Sequence, residues 1–527
     1  MKKMRQRRST TKRISSLVIV SLLVGSVAIL LFLHKMISDL TRSPTEPIVG
    51  SRIKNPFIAS EIIPKQSVPS FVMKHLDGEG PRLAESYGRY PNPMRIKYNN
   101  IYWQVQEMDN KITYYLYGAY YDNRTLLPAP TVRVLGHVNR YQPNKLQNLS
   151  CQLWFKDDPK PIVVKVFEFF YLYRHEWHYL LVAPDLLEPY FVNCLLPPKL
   201  TGGRIPESVS LVEEPWHNAT NNLRVLYTPT PSGGKKKFAV CVKGLNFYHD
   251  ATQAVRIVEW LELLRILGAD KVFFYQYHVH PKIGRVLQHY ENEGFAEVIK
   301  ITLPGFYPNI PEFQNTFFQK NIDAQELTEL IHYNDFLYKN LNLFEYLVPI
   351  DIDEVIVPRS AFTWHELLNK VIPKSLKSMP SPVVSYVARN VMFMDDMAEM
   401  QDFEPEIPRY MHMLQHVHRN SRYSEFSKQV KCIHRADRAV ALHNHYVLAC
   451  LSGFKNFSYW AYAEKCQNYH MDTEDAHLQH YCIGKTKYDC RTRAISGELT
   501  VDTTLWKYKN QLIAATTEVL KKTGVLP

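Results

Sequence analysis

Apolar positions fall into three textures along this chain, and each texture predicts a different kind of element. From Ile14 to Leu33 there is no charged residue. An uncharged, mostly apolar stretch of about 20 residues matches the hydrocarbon core of a bilayer when coiled as a helix. It predicts a transmembrane anchor at 14–33, with the basic tail 1–13 in the cytosol and the rest of the chain in a lumen. A secretory signal peptide shares the basic start and the apolar middle. Here the apolar segment exceeds the usual signal core, and the small-x-small candidate near Ser26 to Ala28 falls inside it. Residues 34–95 carry scattered prolines from Pro44 to Pro91 and little apolar periodicity, which predicts a luminal stem. Over 96–228 come short aromatic and β-branched runs at Ile112 to Tyr121, Thr131 to Val138, Ile162 to Tyr173 and Trp177 to Val182. Their spacing predicts an antiparallel β domain, a packing or recognition module without a catalytic constellation of its own.

The third texture begins after a linker at Pro229 to Lys237. Phe238 to Val242, Lys271 to Tyr275 and Glu297 to Ile301 read as buried strands. Between and after them, Ala251 to Leu267, with Val258, Leu261, Leu264 and Ile266 inward, Pro281 to Glu293, and Ala324 to Tyr338 read as helices. A further apolar run, Phe344 to Ile350, ends at Asp351. Strand and helix alternating four times predict an α/β domain at 236–510 built on a parallel sheet, and such sheets bind ligands at the carboxyl ends of their strands. Thr363-Trp364-His365-Glu366 has the form of a capping box opening a helix.

Composition changes this picture little. The chain has 527 residues, 46% hydrophobic and 22% charged, which is globular, and its length allows two or three domains. The net charge of +12 suggests nucleic acid until it is divided: seven positive charges lie in the first thirteen residues, leaving +5 for the rest. That is an ordinary surface, and nucleic acid is excluded as the main partner. All eight cysteines follow the predicted anchor, an even number that suits disulfides in an oxidising lumen, and no C-x-x-C pair offers a zinc site. Sequons at Asn123, Asn148, Asn218 and Asn456 agree with a lumen.

The candidate chemistry rests on Asp351-Ile352-Asp353, the chain's one Asp-x-Asp, followed by Glu354. A chain of this length holds about one such pattern by chance, so its placement matters more than its occurrence. Read as an extended strand end, it projects residues two apart to one face, where two carboxylates hold a hard divalent cation, Mn²⁺ or Mg²⁺. Such a cation keeps positions open for the oxygens of a nucleotide diphosphate. Walker, G-x-G-x-x-G, G-x-S-x-G and H-E-x-x-H patterns are absent, which counts against ATPases, Rossmann oxidoreductases, serine hydrolases and zinc proteases of the usual kinds. On a membrane-anchored luminal domain, the simplest remaining chemistry is glycosyl transfer from a nucleotide sugar.

Asn334 to Asn340 and Tyr346 to Arg359, with Cys241-Val242-Lys243 and Glu259-Trp260-Leu261-Glu262 upstream, resemble the core of glycosyltransferase family 92. Ser427-Lys428, Ala441 to Asn444 and His480-Tyr481 match downstream in order and spacing, and Phe336 stands where the family has Cys. The resemblance implies a GT-A-like fold and a Golgi type II membrane enzyme. It also implies inverting transfer of galactose from UDP-galactose to a terminal galactose or fucose of glycoprotein N-glycans, forming a β1,4 linkage. On that resemblance Asp351 and Asp353 hold the metal with His443 as a third ligand. His445, two residues on, is the rival, and Glu354 is either an orienting residue behind the acid pair or simply a charged strand end.

Lys243, Asp351 and Lys428 would meet the donor. A general base is expected at Asp395 or Asp396, with Glu474 and Asp475 as rivals. Two other readings stand beside this one: a catalytically silent luminal glycan-binding ectodomain, in which the β domain does the work, and a luminal sulfotransferase. A donor sugar other than galactose also stays open.

Overall fold

A computed structural model of the chain describes residues 88–526, apart from 110, 128, 141–148, 174–185, 197, 380–381, 395–402, 427, 452–460, 463–465 and 483–498. The expected anchor and nearly all of the stem lie outside the described residues, as do Asn148, Asn456 and the run Trp177 to Val182. Among the described residues no helix is long and apolar enough to cross a membrane.

The first part of the chain forms a ten-stranded sheet that includes β1 (Thr113–Asp122), β2 (Thr131–Val138) and β3 (Glu188–Leu195). Its strands pair antiparallel, as their short aromatic runs predict, with one departure: Leu223–Leu226 lies parallel to β1. The expected single run Ile162 to Tyr173 is two strands, Ile162–Lys165 and Glu168–Tyr171, on opposite edges of the sheet. Cys151 and Cys194 form a disulfide within this sheet.

The second part is the α/β alternation. β4 (Lys236–Phe247), α1 (Gln253–Leu267), β5 (Lys271–Val279), α2 (Pro281–Asn292), β6 (Ala296–Lys300), α3 (Ile322–Asn340) and β7 (Phe344–Pro349) follow in order. A short helix, Pro311–Lys320, precedes α3. β6, β5, β4 and β7 lie side by side and parallel. Beyond β7 the same sheet turns antiparallel through β9 (Lys431–Arg435), after β8 (Glu354–Pro358) has crossed into a separate five-stranded sheet. There β8 pairs with β10 (Ala476–Cys482). Gly268, at φ 97°, ends α1 as a left-handed cap. Thr363 accepts from the Glu366 amide at 3.2 Å and opens the helix Trp364–Ser378, as its pattern predicts.

β4 is buried on both faces, and its alternating side chains enter two cores. Phe238, Val240 and Val242 point into one, which also holds α1 and the final helix Lys509–Thr523, so this core runs past the expected limit at 510. Ala239 and Cys241 point into the other, which holds α3 together with Trp103, Tyr120, Leu135 and Phe191 of the first sheet. The expected β domain therefore shares a core with the α/β part.

Candidate active site

The sheet ladder ends where Ile350 N–H donates to the Cys241 carbonyl at 3.0 Å. The chain then turns: Glu354 N–H bonds the Asp351 carbonyl at 3.1 Å, and β8 departs. Asp351 and Asp353 thus sit on a tight turn at the carboxyl end of β7 rather than in the extended strand expected from sequence. The consequence for placement is the same, because both line one cleft of about 610 Å³ with Lys243 and Gly244 from the end of β4. That volume lies within the usual range of small-ligand sites, about 300–1,000 Å³.

Cations surround the acids. Lys431, the first residue of β9, is 0% exposed, with its Nζ 3.2 Å from Asp351 Oδ2 and 2.9 Å from Glu354 Oε2. Lys243 Nζ lies 3.6 Å from Asp351 Oδ1 and 3.2 Å from Glu329 Oε1. Pairing of β8 with β10 sets His480 opposite Glu354, so its Nε2 is 3.5 Å from Asp353 Oδ2 and its Nδ1 3.5 Å from Glu354 Oε1. Glu354 Oε2 also accepts the Asp351 amide at 3.2 Å. Glu354 thereby ties the turn, the buried lysine and the histidine together.

Burial opposes the charge on Asp351, but Lys243 and Lys431 outweigh it and hold the carboxyl well below its usual range. For His480, burial opposes the proton, and Asp353 followed by Glu354 outweighs it, raising the imidazole to about 9. Burial pushes Glu329 up to about 7 against the pull of Lys243. Deeper in the same cleft, Glu259 takes the Met413 amide at 3.0 Å and the Leu414 amide at 3.2 Å. Burial raises its carboxyl to about 7 in spite of those donors.

The other expected site residues fall as follows. Lys243, Asp351 and Asp353 are brought together. Lys428 is not: it stands in the segment before β9, 69% exposed and paired with Glu425 at 2.9 Å. His443 does not join the acid pair; it stacks on Tyr446 and lines a second, smaller cavity, with His445 beside it. His445 Nδ1 is 2.9 Å from the Val430 carbonyl.

Asp395 and Asp396 lie outside the described residues. Glu474 and Asp475 lie away from the cleft. Asp475 accepts from Ser360 Oγ at 3.1 Å and pairs with Lys374, and Glu474 projects into solvent beside Arg359.

Sequence reasoning missed Lys431, His480 and Glu329 as site residues. For Lys431 a signal existed, a lone charge inside the apolar run Val430 to Ile433. His480 is placed by a strand pairing that spans more than a hundred residues, which no local pattern reports.

Two carboxylates on one turn fit a divalent cation that takes its remaining ligands from substrate phosphates. Asp351 Oδ1 supports this fit, since it is buried without a hydrogen-bond donor. Among the described residues no group of three or more His, Cys, Asp or Glu side chains is set to hold a metal by itself.

Residues 236–516 match glycosyltransferase family 92, and the chain belongs to that family. It is a glycosyltransferase, a class that joins a nucleotide-sugar donor to a glycan acceptor. No curated protein matches the chain. Among solved structures it is similar to UDP-glucose pyrophosphorylase from acinetobacter baumanii, at 10% identity over 55% of this chain and 94% of that chain, with a TM-score of 0.18. At that score the likeness carries nothing over to this chain.

Proposed function

We propose that this enzyme transfers galactose from UDP-galactose, with inversion, to a terminal galactose or fucose of glycoprotein N-glycans, forming a β1,4 linkage. It acts in the Golgi lumen, tethered as a type II membrane protein through residues 14–33. The observation that carries the reading is the turn that sets Asp351 and Asp353 at the carboxyl end of β7, facing one cleft with Lys243.

Asp351 and Asp353 would hold Mn²⁺ or a similar cation, which supplies neutralisation of the departing diphosphate. Lys243, 30% exposed beside the pair, offers the phosphates a cation, and Lys431 and Glu354 keep Asp351 ionised and oriented. Gly244 lies at the floor of the cleft, where its missing side chain lets the backbone pack directly against Tyr277 and His332.

The test is a donor screen on the purified full chain. UDP-galactose, UDP-glucose and their N-acetylated forms are offered with Mn²⁺ or with EDTA. The expected result is turnover of UDP-galactose that Mn²⁺ restores after chelation. Turnover indifferent to EDTA, or a clear preference for another donor, overturns the corresponding part of the reading.

A further inference from the structure

Lys243 lines two cavities. One is the cleft of the acid pair; the other, of about 270 Å³, is lined also by Glu329, Tyr333, His443, Asn444 and Tyr446. The second has no part in the chemistry described so far. Its volume is near the lower end of small-ligand sites, about 300 Å³, which suits a single sugar residue better than a nucleotide.

Its walls have the two surfaces that a pyranose presents partners for. The His443 and Tyr446 rings stack at 5.1 Å and 20°, and burial lowers the imidazole to about 3, so the pair is an uncharged flat face for sugar C–H groups. Facing groups are polar: Tyr333 Oη donates to Asn444 Oδ1 at 3.1 Å, and Lys431 donates to the same oxygen, which fixes the amide.

Glu329 stands at the boundary of the two cavities. It pairs with Lys243 at 3.2 Å and accepts from Gln325 Nε2 at 3.2 Å, and both of those partners line the acid-pair cleft, while Glu329 itself lines the second cavity. A carboxylate in that position faces a hydroxyl entering the second cavity, one ion pair away from the acid-pair cleft.

We propose that the second cavity seats the acceptor sugar and that Glu329 accepts the proton of its attacking hydroxyl. This rests on the larger cleft being the UDP-sugar site. The acceptor oxygen bonds C1 of the donor sugar as the bond from C1 to the β-phosphate oxygen breaks. The bonding pair leaves with the diphosphate, and the hydroxyl proton passes to Glu329, which returns it to water. Burial sets the Glu329 carboxyl near neutrality, where a base works with least loss to either protonation state.

The experiment uses the full chain with Mn²⁺, UDP-galactose, and methyl β-galactoside or methyl α-fucoside as acceptor probes, with donor binding followed separately by calorimetry. Glu329→Gln is expected to bind UDP-galactose within threefold of wild type, yet to lose at least a hundredfold in kcat with acceptor KM little changed. Tyr446→Ala is expected to raise acceptor KM at least tenfold while kcat and donor Kd stay within threefold. Tyr446 is half-buried, so this arm stands even where Glu329→Gln does not fold. Wild-type kcat in Glu329→Gln, an unchanged acceptor KM in Tyr446→Ala, or bound UDP-galactose with transfer to neither probe overturns the proposal. Failure of the wild-type chain to bind UDP-galactose brings down the donor reading first, and the acceptor site with it.

Discussion

Tyr120 donates its hydroxyl to Asp335, so the middle of the first sheet reaches the helix that leads into the acid pair. Tyr275 Oη donates to the other oxygen of that carboxylate at 2.5 Å, and Lys339 Nζ is 2.8 Å from it. The charge is buried and satisfied by groups from both parts of the chain. Around it, Trp103 Nε1 donates to the Thr302 carbonyl at 2.8 Å, the Leu187 amide to Tyr307 Oη at 3.0 Å, and Arg124 Nη1 to the Ala436 carbonyl at 3.1 Å. The first sheet is one wall of the catalytic domain's core, which counts against its acting as an independent glycan-binding module.

Tyr120→Phe tests that weld. It leaves a buried carboxylate oxygen without its donor, at about 1–3 kcal/mol. Urea unfolding should show the loss in full, with transfer per folded molecule within threefold of wild type. A fragment of residues 236–527 alone should fail to give a cooperative transition, because the second core loses Trp103, Leu135 and Phe191. A cooperative fragment, or an unchanged urea midpoint, contradicts the shared core.

Asp353 and Asp351 should separate function from stability. Asp353 is 43% exposed, so Asp353→Asn is expected to fold normally and to lose transfer at least a hundredfold, ~2.7 kcal/mol in the barrier. Asp351→Asn should lose activity and also destabilise, by about 3–5 kcal/mol, because Lys431 is left buried with one carboxylate fewer. Initial rates and thermal melts on both variants check this. Transfer by Asp353→Asn within threefold of wild type removes the acids from the chemistry.

The α/β alternation was legible because each element is a local apolar run: the helix expected over Ala251 to Leu267 is Gln253–Leu267, and the strand beginning at Lys271 extends through Val279. The acid pair was legible because it is unique in the chain and ends such a run. Its conformation was not, since apolar runs flank it on both sides, Tyr346 to Ile350 and Val355 to Val357, and hide the turn at which the chain changes sheets. Lys431 and His480 escape a local reading for a related reason. Spacing along the chain says nothing about which strand edge faces the turn, and only the pairing of β8 with β10 brings His480 in. Asp335 and Tyr120 lie 215 residues apart, and neither carries a local sign of the other.

Gly244 is tightly enclosed at the cleft floor. A Cβ there would meet the Tyr277 ring at 2.2 Å and His332 at 2.8 Å, both on buried side chains with little freedom to yield. Gly244→Ala is therefore expected to destabilise by about 1–3 kcal/mol, the usual range for overpacking. Since Gly244 lines the cleft between Lys243 and Leu245, donor KM should rise as well. Chemical denaturation and donor titration of the variant measure the two effects, and wild-type values for both would show the floor to be compliant.

His332 makes the stability depend on pH in a definite direction. Its Nδ1 accepts the Gly244 amide at 3.1 Å, which assigns the ring proton to Nε2, 3.0 Å from Tyr277 Oη, and the ring stacks on Tyr275 at 4.9 Å. Burial, with smaller contributions from His137 and Lys243, lowers it to about 3. The unfolded imidazole titrates near 6.5, so between those values the unfolded state holds the proton that the folded state refuses. Stability from this group is complete above about pH 6.5 and drains away as pH falls toward 3. His332→Gln should be less stable than wild type at pH 7, yet should lose about 2 kcal/mol less on going from pH 7 to pH 5. Urea midpoints for both chains at the two pH values measure the difference, and parallel losses would mean that His332 takes up its proton in the fold as readily as in the unfolded chain.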